Sequence, residues 1–159
     1  MFIYIYLYKE INIYLFIMDI DWDTVDDAPR IDKCLKLTTV QGKIVSVYDG
    51  DSVKALLPLN GTLYKWSCRL LDIDTPELRT RYKKEKDLAY KVRDLLREKL
   101  MNKVVTLNCD EFDKYGRLLV EIILDDCNIN KWLIENNYAF EYKGGRKKSW
   151  KEYLSKQDE

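Results

Sequence analysis

Residues 40–57 read VQGKIVSVYDGDSVKALL. The first part, GKIVSVY, is rich in β-branched and aromatic side chains; Asp49-Gly50 is a turn dipeptide, and SVKALL returns to β-forming composition. Such residues suit a pleated, half-buried surface, and an Asp-Gly pair between two such runs marks a hairpin. A folded domain is therefore expected from residue 38 to residue 159, opening on two antiparallel strands.

Working outward from this hairpin, Pro58, Asn60 and Gly61 mark the next reversal, and TLYKWSCRLL forms a third strand that runs into DIDTPE, residues 72–77. Pro76 has no backbone donor and ends extended pairing there. Between Lys84 and Leu100, the residues Leu88, Val92, Leu95, Leu96 and Leu100 recur at helical spacing with charges between them, which predicts an amphipathic helix. KVVTLNC and RLLVEIIL then read as two strands around DEFDKYG, where Gly116 suits a turn of positive φ. Ile129, Trp132 and Leu133 share a helix face that Asn136 and Asn137 close, and a basic tail follows through Lys143 to Lys151. The order of three strands, a helix, two strands and a helix predicts an α+β, mainly β, fold. Its form is a five-stranded OB-type Greek-key barrel with an inserted helix after strand three and a C-terminal helix.

On the N-terminal side, residues 18–37 carry Asp19, Asp21, Asp23, Asp26 and Asp27 and read as an acidic, flexible lead-in. Residues 1–17 are apolar but are interrupted by Lys9, Glu10 and Asn12. They lack a basic n-region and a small-residue cleavage site, and they match poorly the ~20 apolar residues that span a bilayer. Translation starting at Met18 is the expectation, and an anchor formed by residues 1–17 is the alternative.

Composition narrows the chemistry. The 159 residues suffice for one core. Lys plus Arg number 27, as do Asp plus Glu, so any attraction to nucleic acid must be local. The absence of histidine excludes Ser-His-Asp and Cys-His catalysis as well as His-ligated zinc. Cys34, Cys68, Cys109 and Cys127 form no CxxC pair and read as buried or partly buried thiols of a reducing, intracellular compartment.

Three segments carry chemistry: Asp49-Gly-Asp51-Ser52, Arg69-Leu-Leu-Asp-Ile-Asp74-Thr75-Pro76-Glu77, and Asp113-Lys114-Tyr115-Gly-Arg117. In this order and at these separations they resemble the DGDT, RLxxxDTPE and DxYGR motifs of the staphylococcal nuclease family, over about Val40 to Trp150. Each motif alone is common, and the set is specific. The resemblance implies a phosphodiesterase of the endonuclease type that cuts DNA or RNA, leaves 3′-phosphate ends and depends on Ca2+. It makes Asp51, Asp74 and the Thr75 carbonyl the Ca2+ ligands, and such hard, irregular oxygen sets suit Ca2+ better than octahedral Mg2+.

Hydrolysis also needs a base and positive charge around the phosphorus. Glu77, in the same loop and with no histidine to compete, is the candidate base, either taking the proton or orienting water. Arg69 and Arg117 offer guanidinium forks for phosphate oxygens. As structural alternatives, Arg69 could pair with Asp72, and Arg117 could be a solvated hairpin residue. The resemblance further assigns Lys114 and Tyr115 to nucleotide binding, with Tyr142 and Lys143 possible in the same groove. The family's DGDT threonine is Ser52 here, and Phe140 stands where a base-stacking tyrosine can occur.

A monomer acting on nucleic acid, with no stable protein partner, is the expectation. The competing class is a non-catalytic nucleic-acid-binding module of the same fold; the presence of Asp51, Arg69, Asp74, Glu77 and Arg117 together argues for the enzyme.

Overall fold

The computed structural model of the chain describes Leu35 and residues 38–157. The apolar segment 1–17, the proposed start at Met18, Cys34 and all of the acidic lead-in except Leu35 lie outside the described residues. In chain order the elements are β1 Thr38–Val47, β2 Ser52–Leu59, β3 Thr62–Leu70, β4 Ile73–Asp74, α1 Lys83–Leu100, β5 Val104–Phe112, β6 Leu118–Leu124, β7 Cys127–Asn128, α2 Ile129–Glu135, β8 Phe140–Glu141 and α3 Trp150–Ser155.

β1 pairs antiparallel with β2 and β5, β2 with β3, and β5 with β6. A short parallel ladder matching Cys68–Leu70 to Leu118–Val120 joins β3 to β6 and closes the barrel. This is the expected mainly β, five-stranded OB-type barrel with a helix after the third strand. Alternation drives it: Val105, Leu107 and Cys109 of β5 and Leu118, Val120 and Ile122 of β6 point inward, while their neighbours remain partly exposed. With Ile44, Leu57 and Leu70, they fill the barrel with side chains that have almost no exposed area.

α1 covers β1 with Ala89, Val92, Leu96 and Leu100, while Leu88 and Leu95 sit at the margin of the expected face. Asn102, at φ 61°, stops the helix in the left-handed region. Its N–H donates to Ile44 O at 2.9 Å, and Ile44 N donates to Lys103 O at 3.0 Å, so the helix end is tied directly to β1. α2 packs Ile129 and Leu133 on the barrel and ends at Asn136 and Asn137, the latter at φ 58°, as expected.

The C-terminal stretch departs from the expected basic tail. β8 pairs with β4, matching Asp74 to Phe140, and residues 150–155 form α3. Six residues are too few to display a period, but Trp150 is buried and its ring stacks on Phe140 at 4.0 Å, so aromatic burial organises a lysine-rich segment. Among the described residues Cys68, Cys109 and Cys127 are free thiols; burial pushes Cys68 up to about 12 and raises Cys109.

Candidate active site

Three loops meet at one end of the barrel. The first joins β1 to β2: Tyr48 N donates to Ser52 O at 2.9 Å and Asp51 N to Asp49 Oδ1 at 3.1 Å. Gly50 sits in this bend without a left-handed φ. A Cβ there would lie 2.7 Å from both Cβ and Oγ1 of Thr75. Glycine is needed at this position for close approach to the second loop, and not for the turn that its sequence context suggests.

Asp51 is 6% exposed. Its Oδ2 lies 2.6 Å from Arg69 Nη1, and its Oδ1 accepts from Ser52 Oγ at 2.9 Å. Burial pushes the carboxyl up to about 6, opposed by the Arg69 guanidinium and assisted by the neighbouring Asp49 charge. Arg69 also donates from Nη2 to Ile73 O at 3.2 Å. Its carboxylate partner is therefore Asp51 and not the alternative, Asp72.

The second loop follows β4. Asp74 is 2% exposed, and its Oδ1 has no aligned hydrogen-bond donor, although Lys147 Nζ stands 2.6 Å away. The same ammonium lies 3.1 Å from Glu77 Oε1, whose side chain is 61% exposed. Partial burial pulls the Lys147 pKa down, but the Asp74 and Glu77 carboxylates outweigh it and hold the pKa above its ordinary value. The loop is anchored from beneath by Glu85 in the first turn of α1: Glu77 N donates to Glu85 Oε1 at 3.2 Å and Thr80 Oγ1 to Glu85 Oε2 at 2.9 Å.

The third loop is the β5–β6 hairpin tip. Asp113 Oδ1 accepts from the backbone of Tyr115 and of Arg117, both at 2.9 Å, and Gly116 adopts φ 77° as its sequence position predicts. Asp113 Oδ2 then takes both Nε and Nη2 of Arg117 at 2.7 Å. Partial burial works against Asp113, but these donors hold its carboxyl below the usual range. Arg117 is thus braced rather than freely solvated, with Nη1 turned toward Ser52 Oγ at 3.4 Å.

Between the loops lies an open groove of about 480 Å³. Asp51, Arg69, Thr75, Glu77, Lys114, Tyr115, Arg117 and Tyr142 all line it, as do Asp49, Ser52 and Lys147. Asp74 is buried and does not reach the wall. Lys143 instead pairs with Glu141 at 2.9 Å and is absent from the lining, and Phe140 is occupied by Trp150 and Tyr153.

Sequence reading missed Lys147, which stands 70 residues from Glu77 among other basic residues. It also missed Glu85 and Asn130. Glu85 was detectable in principle, because it shares the buried stripe of α1 with Ala89 and Val92. Asn130 receives Ile122 N and donates to Leu71 O and Val120 O, pinning the strand that leads into the second loop.

The buried carboxylates Asp51 and Asp74 and the Thr75 backbone are hard oxygen donors on two loops that touch at Gly50 and Thr75. Among the described residues, no three His, Cys, Asp or Glu side chains gather as a metal cluster. Donors of this type are compatible with a hard dication completed by water or substrate, and the feature that favours one is the shielded Asp74 Oδ1, which already faces the Lys147 ammonium.

The family model of staphylococcal nuclease homologues matches residues 67–159. The chain belongs to the staphylococcal nuclease family. Similar proteins include an uncharacterized protein of Methanocaldococcus jannaschii, 34% identical over 64% of this chain and 58% of its own length. Another, from Bacillus anthracis, is also uncharacterized and is 32% identical over 74% of this chain and 55% of its own. A protein named an uncharacterized endonuclease, from Escherichia coli O157:H7, is 27% identical over 65% of this chain and 61% of its own. This family member therefore spans well under two thirds of the length of these curated relatives.

Proposed function

We propose that the chain is a nuclease: a Ca2+-dependent phosphodiesterase that hydrolyses DNA or RNA and leaves 3′-phosphate ends. The observation that carries this reading is the convergence of Asp51, Arg69, Thr75, Glu77 and Arg117, from three separate sequence segments, on one open groove. Family membership and the endonuclease name carried by a relative support the same reaction class.

Asp51, Asp74 and the Thr75 carbonyl are the proposed cation holders. A bound dication would supply charge neutralisation at the scissile phosphate. Arg69 enters the groove from the end of β3 and Arg117 from the β5–β6 hairpin tip, each held on one side by a carboxylate, which fixes the guanidinium planes before substrate arrives. Their remaining N–H groups donate to the phosphate oxygens as negative charge accumulates.

Glu77, exposed and backed by Glu85 through its backbone, takes or steers a proton of the attacking water. A P–O bond forms to that water oxygen and the P–O5′ bond breaks. The O5′ atom takes a proton from solvent and leaves as a hydroxyl, and the phosphate stays on the 3′ side. Lys114, Tyr115 and Tyr142 line the walls on which the nucleotide would lie.

The test is cleavage of labelled single-stranded DNA and RNA by the purified chain with Ca2+ or with EGTA, followed by end-group analysis. Cleavage with Ca2+, loss with EGTA, and 3′-phosphate ends are expected. Glu77→Ala and Arg117→Gly are each expected to lose most activity while remaining folded; unchanged cleavage in both would refute the assignment. Binding without cleavage in Ca2+ would identify a binding module instead.

A further inference from the structure

A second groove of about 690 Å³ lies beyond the candidate active site, and Lys147 lines both. Its wall carries Arg146, Lys147, Lys148 and Lys156 against a single carboxylate, Glu152. In a chain whose net charge is zero, this is a local concentration of positive charge. Among the described residues, neither Arg146 nor Lys156 takes part in an ion pair, and Lys148 Nζ lies 5.5 Å from the Phe140 ring centroid and within electrostatic reach of Glu141, whose own ion-pair partner is Lys143. Three exposed cations therefore line the groove, and the Phe140 ring beside them is backed by Trp150 and Tyr153.

We infer that this second groove carries the strand beyond the scissile phosphate, so that the chain engages several consecutive nucleotides of a single-stranded nucleic acid. The inference rests on the nuclease reading for its direction, since the first groove is where the reacting phosphate would lie. Continuity through Lys147 and the charge of the wall select a polyanion that can follow a bend from one groove to the next. A flexible single strand meets that demand, with its phosphates on Arg146, Lys148 and Lys156. Lys147, held by Asp74 and Glu77, marks the boundary between the two.

The test uses the full chain and a triple variant, Arg146→Gln with Lys148→Gln and Lys156→Gln, none of which belongs to the proposed catalytic or cation-holding set. Fluorescence anisotropy in EDTA, where turnover is stopped, measures binding of labelled DNA of about 3 and about 12 nucleotides across a salt series. Each lost single-strand phosphate contact removes roughly 0.7 from the slope of log affinity against log salt, so three remove about 2. The expected result is that slope change, with an affinity loss of at least about tenfold for the longer strand at low salt, and little change for the shorter one.

Equal losses for both lengths, or no loss for either, would overturn the inference. So would retained oligonucleotide binding together with lost binding to phosphatidylserine vesicles, which would assign the groove to a membrane surface. Circular dichroism of the triple variant confirms that exposed substitutions leave the fold intact. Length-dependent binding without any cleavage by the parent chain would sink the nuclease reading and keep the strand path; cleavage with no length dependence would do the reverse.

Discussion

Replacing Gly50 by alanine probes the site without touching a charged group. The new Cβ would stand 2.7 Å from Thr75 Cβ and Oγ1 and 3.0 Å from Thr75 Cγ2. Carbon contacts settle at about 3.5 Å or more, so one loop must give way by about 0.8 Å. Little around it is soft: Thr75 is 4% exposed, Asp74 before it is 2% exposed, and the atom struck is Cβ itself and not the end of a long side chain. Overpacking of this kind costs about 1–3 kcal/mol. A shift of nearly 1 Å at Thr75 also displaces the proposed cation holders, and misplacement on that scale can cost on the order of 100-fold in rate.

Urea unfolding and Ca2+ titration of Gly50→Ala measure the two effects separately. A second change, Thr75→Gly, removes the struck atom and is expected to recover part of the stability in the double variant, a coupling of about 1 kcal/mol or more. Gly61→Ala is the control. Nothing lies within 4 Å of its added Cβ, but φ is +77°, so stability should fall by about 1 kcal/mol with cation affinity and cleavage unchanged. Wild-type stability together with wild-type cation affinity in Gly50→Ala would refute the close-approach argument.

Lys147→Met removes the ammonium shared by Asp74 and Glu77, and cation affinity is expected to rise about two- to fivefold, the scale of a partly exposed ion pair; calorimetry showing equal or weaker affinity would exclude competition. Burial pushes the Asp51 carboxyl up to about 6, and only its ionised form would serve the proposed cation site. Cation affinity should therefore be full above that pH and fall up to tenfold per unit below it, and a flat profile from pH 5 to 7.5 would contradict this. In cation-free protein the same raised carboxyl favours acid: its contribution to stability is present below the ordinary carboxylate pKa and is lost as pH rises through about 6. Asn130→Leu leaves the buried Ile122 N–H unsatisfied, at about 1–3 kcal/mol, and takes the side-chain donor from the part-buried Leu71 C=O; a drop below about 1 kcal/mol in thermal or urea unfolding would count against that role.

Period and turn chemistry made most of the barrel legible, because β-branched alternation, the Asn60-Gly61 reversal and the stripe from Val92 to Leu100 each act within a few residues. The three motifs exposed most of the groove for the same reason: Asp113 to Arg117 is one hairpin tip, and Asp74 to Glu77 one loop. What escaped depends on distance along the chain. Lys147 reaches Asp74 and Glu77 only because β8 pairs with β4, a pairing of two-residue strands that no local pattern announces. Gly50 looked like a turn glycine because a close neighbour 25 positions away leaves no mark beside it. α3 is hidden in the basic tail because the lysines and arginine before it mask Trp150 and Tyr153, whose partner Phe140 lies ten positions before Trp150.

The parallel ladder between β3 and β6 has a temporal consequence. Arg69 belongs to β3, opposite Leu119, and Arg117 directly precedes β6, so the two guanidiniums converge when Cys68–Leu70 zips onto Leu118–Val120. That pairing spans the whole of α1 and β5, a large loop whose closure is an entropically demanding and slow step. A chain emerging from the ribosome can complete the β1–β2–β3 meander long before β6 exists, yet it would hold half a phosphate clamp. If the chain is the nuclease proposed above, the two halves of its phosphate clamp come together only at barrel closure, so the proposed activity would arise late in folding.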